Sequence, residues 1–165
     1  MNLIYNQTKI PKDQWRYGFR SSAATGCGWI ATYNALQLMG YQTKPEGLIC
    51  YFEKQFPLVH GNAGTSFWGP AEYFRQQGFP VTVTANRKQY DALVEESDVC
   101  ILFYWWRRGF RLGAHFVALH KTDRGIVGYN TYRNSTGPDC YGQSLEAYLK
   151  SRKHFFTCLI GIRKK

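Results

Sequence analysis

Between Cys27 and Met39 the apolar positions recur at helical spacing. Cys27, Ile30, Ala31, Ala35 and Leu38 share one side with Asn34, while Trp29, Tyr33 and Leu36 make the other side apolar too. A helix apolar nearly all round is a buried one, and Gly40 is a residue type that commonly ends a helix. The pattern therefore predicts a central buried helix. Pro45 to Phe56 predicts a second helix that stops before Pro57, and residues 61–66 read as a loop. Thr65 or Ser66 stands where it would cap a third helix, from about Trp68 to Gln77, closed by Gly78. Beyond residue 80 the period shortens to two in Val81-Thr82-Val83-Thr84. Strands are predicted over 98–106, 114–121, 125–132 and 155–163, with short helices over 90–96 and 143–151. Thr122-Asp123-Arg124-Gly125 reads as a hairpin turn. Residues 1–26 keep no period and are punctuated by Pro11, Gly18 and Gly26. Helices first and an antiparallel sheet second make an α+β layout, and no repeat or linker divides residues 1–165, so a single domain is expected.

Composition narrows this picture. A hydrophobic fraction of 44% in 165 residues is too high for disorder. The longest apolar run, Val99 to Trp106, is too short to span a bilayer, so no membrane insertion is expected. The net charge of +10 favours acidic partners. Its densest cluster interleaves Trp105 and Trp106 with Arg107, Arg108 and Arg111. The first residues lack the basic and apolar regions of a secretory signal, so a cytoplasmic location is expected. Five scattered cysteines contain no Cys-x-x-Cys pair, which leaves zinc-ribbon and thioredoxin readings unsupported; no metal and no cofactor is expected. An odd count without a signal favours free thiols, while removal of a signal would permit two disulfides and one thiol.

The sharpest local feature is Thr25-Gly26-Cys27-Gly28-Trp29 at the start of the buried helix. A cysteine nucleophile needs its thiolate, and a helix N-terminus lowers the thiol pKa through unpaired N–H groups and partial positive charge. Gly26 and Gly28 would let a substrate backbone approach, and the Cys27 amide could serve a developing oxyanion. Cys50, Cys100, Cys140 and Cys158 read as ordinary packing cysteines. Of the four histidines, His60 and His154 have polar, loop-like surroundings. His115 and His120 occupy opposite faces of one predicted strand, and His115 stands at its opening, where a general base can face a cleft. Asn130 lies on the next strand, and the turn at 123–124 sets position 115 opposite 131 or 132, close enough for Asn130 to orient the imidazole. Asp123 and Asp139 are weaker candidates for that role.

The order Cys27, His115, Asn130 resembles the papain-like cysteine peptidases, in particular the bacterial branch of bacteriocin-leader-processing (double-glycine) peptidases. The likeness is carried by Gly26-Cys27-Gly28, Gly64-Thr65-Ser66-Phe67-Trp68, Gly113-Ala114-His115-Phe116-Val117 and Tyr129-Asn130, over roughly residues 20–135. It implies a helical half against a small antiparallel sheet with the site in the cleft between. It also implies a thiolate–imidazolium pair and hydrolysis of a peptide or isopeptide-like amide through an acyl-enzyme. The branch carries an oxyanion glutamine, commonly six residues before the nucleophile; that position here is Ser21. Gln14 and Gln7 are the candidates to replace it, with Ser21 or Ser22 as further options. Trp29 stands where the branch often has a small residue; an indole there would either narrow the cleft or only pack.

The expected partner is a peptide or protein substrate, acidic in character if Trp106 and Arg108 lie at the cleft mouth. An acyltransferase or transglutaminase-like enzyme would use the same three residues. A third reading is a basic binding protein on this scaffold, for which the arginine–tryptophan cluster could stack nucleic-acid bases, though no nucleic-acid motif is present.

Overall fold

A computed structural model describes residues 2–55, 64–152 and 154–165. The N-terminal segment enters through a 3-10 turn at Gln7–Lys9 and a small hairpin of β1 (Arg16–Tyr17) and β2 (Arg20–Ser21). Helix α1 (Ser22–Thr25) then leads through Gly26 into α2 (Cys27–Leu38). This is the predicted central helix; every residue from Gly28 to Leu36 is buried, and Gly40 ends it with a positive φ of 87°. Helices α3 (Pro45–Gln55) and α4 (Gly69–Gln76) pack against it. The expected cap of α4 is absent: Trp68 is the capping residue and offers no side-chain bond. Thr65 instead shares a hydrogen bond of 2.9 Å with the Tyr17 hydroxyl, and Ser66 Oγ finds no partner among the described residues.

The second half forms an antiparallel sheet of six strands in the order β3-β8-β4-β5-β6-β7. Its strands are β3 (Val81–Thr84), β4 (Val99–Arg108), β5 (Arg111–Thr122), β6 (Gly125–Tyr129), β7 (Asp139–Gly142) and β8 (His154–Ile162). Period-two alternation divides the residues between the two faces. Ile101, Phe103, Phe116 and Ile160 pack under α2, whereas Leu102, Val117, Leu119 and Leu159 pack under α5 (Tyr90–Glu96) and α6 (Leu145–Lys150). The layout is α+β, as the periodicity predicts. All five cysteines are free, so the disulfide alternative does not hold. No helix among the described residues is long and apolar enough to cross a membrane.

Two details of the sheet position the site. The β5–β6 hairpin pairs Thr122 with Gly125, and its last rung is Ala118 with Tyr129. That register matches the expectation for position 115, but the ladder stops before reaching it. It stops because Asn130 adopts a φ of 66°, a left-handed conformation that asparagine tolerates better than most residues. The chain turns away, and β5 continues past β6 beside the N-terminus of α2.

Candidate active site

Helix α2 begins without a side-chain cap, so no capping side chain takes up its first-turn amides. The amides of Phe116 on β5, of Gly28 and of Cys27 itself act on the Cys27 thiol in the direction that favours its thiolate. Phe116 is the chain neighbour of His115, so the amide that acts on the thiol and the imidazole belong to consecutive residues of β5. Burial nevertheless outweighs these three donors and pushes the thiol up to about 11. This reverses the sequence expectation of an acidified thiol. Helix-end electrostatics act on Cys27, but they lose to desolvation.

The His115 ring is held by a bond of 2.6 Å between its Nε2 and the main-chain oxygen of Asn130. A carbonyl only accepts, so Nε2 carries the proton and Nδ1 of the neutral ring keeps a lone pair. Burial also lowers the His115 pKa, against the opposing effect of that carbonyl. Both groups are thereby moved toward their neutral forms, in place of the resting thiolate–imidazolium pair that the resemblance implies. Across the β4–β5 ladder His115 faces Tyr104, whose ring meets the imidazole edge-on at a centroid distance of 5.8 Å. Burial raises the Tyr104 hydroxyl, with further contributions from Tyr148, Tyr132 and the Cys27 thiol. Nothing in the one-dimensional pattern marks Tyr104; its cross-strand register with His115 is the signal that finds it.

Asn130 reaches His115 with its backbone, not with the side chain expected of an orienting residue. Its side chain is spent on Gln7. Oδ1 accepts the Gln7 main-chain N–H at 2.7 Å, and Nδ2 donates to Gln7 Oε1 at 3.0 Å. The remaining polar end of Gln7, Nε2, donates to the Ala23 carbonyl in α1 at 3.2 Å. Gln7 is thus brought to the site, though its amide is engaged on both sides. Gln14 is not brought there: it is exposed, on the wall of a surface cavity of about 300 Å³ lined also by Ile4, Asn6, Lys9 and Ser135. Ser21 and Ser22 are equally committed, the first capping α1 through Ala23 N–H and the second accepting from Trp29 Nε1 at 3.1 Å.

The cleft candidates divide. Trp29 is fully buried, edge-on to Trp15 at 5.6 Å and to Tyr33 at 6.5 Å, so it belongs to the core and narrows no cleft. Gly26 is needed by the protein itself, since a Cβ there would stand 2.6 Å from Ser22 O and from Trp29 Nε1. Gly28 is likewise pressed by Thr65, whose Cβ would lie 2.5 Å from an added methyl. Both glycines serve close internal packing in place of substrate approach. Trp106 lies across the Gly113 backbone at a bulge in the β4–β8 pairing. Arg108 ends β4 opposite Arg111, and its side chain lies outside the description. His60 falls outside the described residues, and His154 opens β8. Asp139 accepts from Ser135 Oγ at 2.5 Å, and the β5–β6 turn holds Asp123, so neither orients the imidazole. The Phe116 ring meets Phe103 at a tilt, centroids 4.8 Å apart, and Phe103 leads to the exposed Phe67, Trp68, Trp105 and Phe156. Among the described residues no three His, Cys, Asp or Glu side chains gather as a metal site.

This combination of a buried helix ending on a sheet edge and a mixed helical and antiparallel half is the papain-like fold. It is matched by the crystal structure of the peptidase domain of Streptococcus ComA, a bifunctional ABC transporter involved in a quorum-sensing pathway. The TM-score is 0.55 at 12% sequence identity, covering 84% of this chain and 91% of that domain. No family model and no curated protein matches the sequence.

Proposed function

We propose that this chain is a cysteine hydrolase that cleaves a peptide or isopeptide-like amide through an acyl-enzyme. The reading is supported by a cysteine at the start of α2 whose thiolate the Phe116 amide favours, and by Phe116's chain neighbour His115, whose Nε2 is already committed to a carbonyl. His115 Nδ1 takes the thiol proton as sulfur bonds to the amide carbon. The carbonyl electron pair moves to oxygen, where the Cys27 N–H supports it. The imidazolium then gives its proton to the leaving nitrogen as the C–N bond breaks, leaving a thioester. Water, deprotonated by the same imidazole, attacks that thioester and releases the acid and the thiol. Because the thiol starts neutral, proton transfer and attack proceed together. The +10 charge favours acidic peptides.

A peptidyl vinyl sulfone tests this. Mass spectrometry of the digested protein is expected to find the adduct on Cys27, with none after Cys27→Ala. His115→Gln is expected to slow trapping by about 10²–10⁴-fold; an unchanged rate would remove His115 from the chemistry. A second pair of variants tests which part of Asn130 orients the ring. Asn130→Gly keeps the carbonyl and accepts the left-handed backbone freely, whereas Asn130→Ala adds about 1–2 kcal/mol of backbone strain. Asn130→Gly is expected to retain more trapping activity than Asn130→Ala. Equal loss in both would return the orienting role to the side chain.

A further inference from the structure

The N-terminal segment is fastened to the rest of the chain through three asparagines, its own Asn6 and the distant Asn34 and Asn130. Asn34 of α2 accepts from the Ile4 N–H and donates to the Ile4 carbonyl, each at 2.9 Å. Asn6 donates to the carbonyls of Arg133 at 2.6 Å and Ser135 at 3.3 Å, beyond β6. Between them, Gln7 is hydrogen-bonded both to Asn130 and to α1, the helix that leads into Cys27. A two-point amide pair fixes the Asn130 side chain in position and rotation. The residue that it fixes has the unfavourable positive φ, and its carbonyl holds the His115 ring.

We propose that Gln7 is a positioning residue: its amide clamps the Asn130 side chain, holds Asn130 in the left-handed conformation, and so turns the Asn130 carbonyl onto His115 Nε2. This inference deepens the hydrolase reading and rests on it for its meaning, but the clamp is observable without any turnover. The alternative assignment, an oxyanion donor, makes opposite demands on chemistry. A clamp needs an acceptor at Oε1 for Asn130 Nδ2, while an oxyanion donor needs an N–H. Gln7→Glu keeps the side-chain acceptor for Asn130 Nδ2 and loses the donor to Ala23; Gln7→Ala loses both and leaves only the main-chain N–H on Asn130 Oδ1.

The experiment is nitrogen-15 NMR of the His115 ring in the full chain, together with vinyl sulfone trapping, for wild type and both variants. Wild type is expected to show the Nε2–H tautomer. Gln7→Ala is expected to mix the tautomers and to slow trapping by about 10- to 100-fold, through misplacement of the base. Gln7→Glu is expected to keep the wild-type tautomer and most of the trapping rate. Loss of trapping in both variants with the tautomer unchanged would overturn the clamp in favour of an oxyanion donor. An unchanged tautomer in Gln7→Ala overturns the clamp whatever the trapping rate. A wild-type chain that shows the tautomer switch on Gln7→Ala but never forms a Cys27 adduct would keep the clamp and sink the hydrolase. A Gln7→Ala protein with lost amide dispersion throughout is recognised in the same spectra, and Gln7→Glu against wild type then decides: a changed tautomer in Gln7→Glu overturns the clamp.

Discussion

Alkylation of Cys27 by iodoacetamide is expected to accelerate by roughly 10³-fold between pH 7 and pH 10 in the folded protein, because only the thiolate reacts. With the thiol pushed up to about 11, burial being the leading cause, roughly one molecule in 10⁴ carries a thiolate at pH 7 and about one in ten at pH 10. The sign follows from the direction of the shift. A raised thiol pKa moves the rise in reactivity to higher pH, whereas a resting ion pair would place it below neutrality. Quantifying the carbamidomethylated Cys27 peptide across this range separates the two. A profile already level at pH 6 would show that the amides at the start of α2 prevail over burial after all. His115, its pKa lowered by burial, is neutral over the whole interval and contributes no step there.

Trp29→Ala is expected to destabilise the protein by about 3–5 kcal/mol, the usual cost of removing a large aromatic side chain from a core. Trp29 has no exposed surface and packs between Trp15 and Tyr33. Its truncation also strips Ser22 Oγ of the indole donor. Trp29→Phe keeps most of the ring and isolates the lost hydrogen bond, with an expected cost of about 1–3 kcal/mol. Denaturant unfolding measures both. If Trp29 instead formed a cleft wall, Trp29→Ala would leave the unfolding midpoint in place and change substrate preference.

What the sequence makes legible is what depends on short-range pattern. Helix α2 stands out because nearly every position is apolar, and α5 because its apolar residues repeat within one short turn-bounded run. The β5–β6 register follows from a turn whose residues are adjacent in the chain. Residue type and order are legible in part: Cys27 does open a helix, but β5 begins at Arg111, three residues before its predicted start, so His115 sits inside the strand and does not open it. What stays hidden is decided across long separations. The pKa of Cys27 depends on the docking of β5, and the role of Asn130 depends on Gln7 at the other end of the chain. Residues 1–26 look irregular because the two-residue strands β1 and β2 and the four-residue α1 are too short to show a period, and other hydrogen bonds of the segment go to side chains such as Asn34 and Asn130. Of the two readings open for Trp29, cleft wall or packing, packing holds, because residues two apart on a helix point to opposite sides.

A sulfur that keeps its proton at neutral pH is also a slow partner for peroxide, since oxidation to the sulfenic acid follows thiolate character and accessibility. Cys50 and Cys140 stand exposed on the surface, while Cys27 is partly covered and protonated. Oxidation is therefore expected to fall first on Cys50 and Cys140, and the same burial that keeps Cys27 protonated shields it from peroxide.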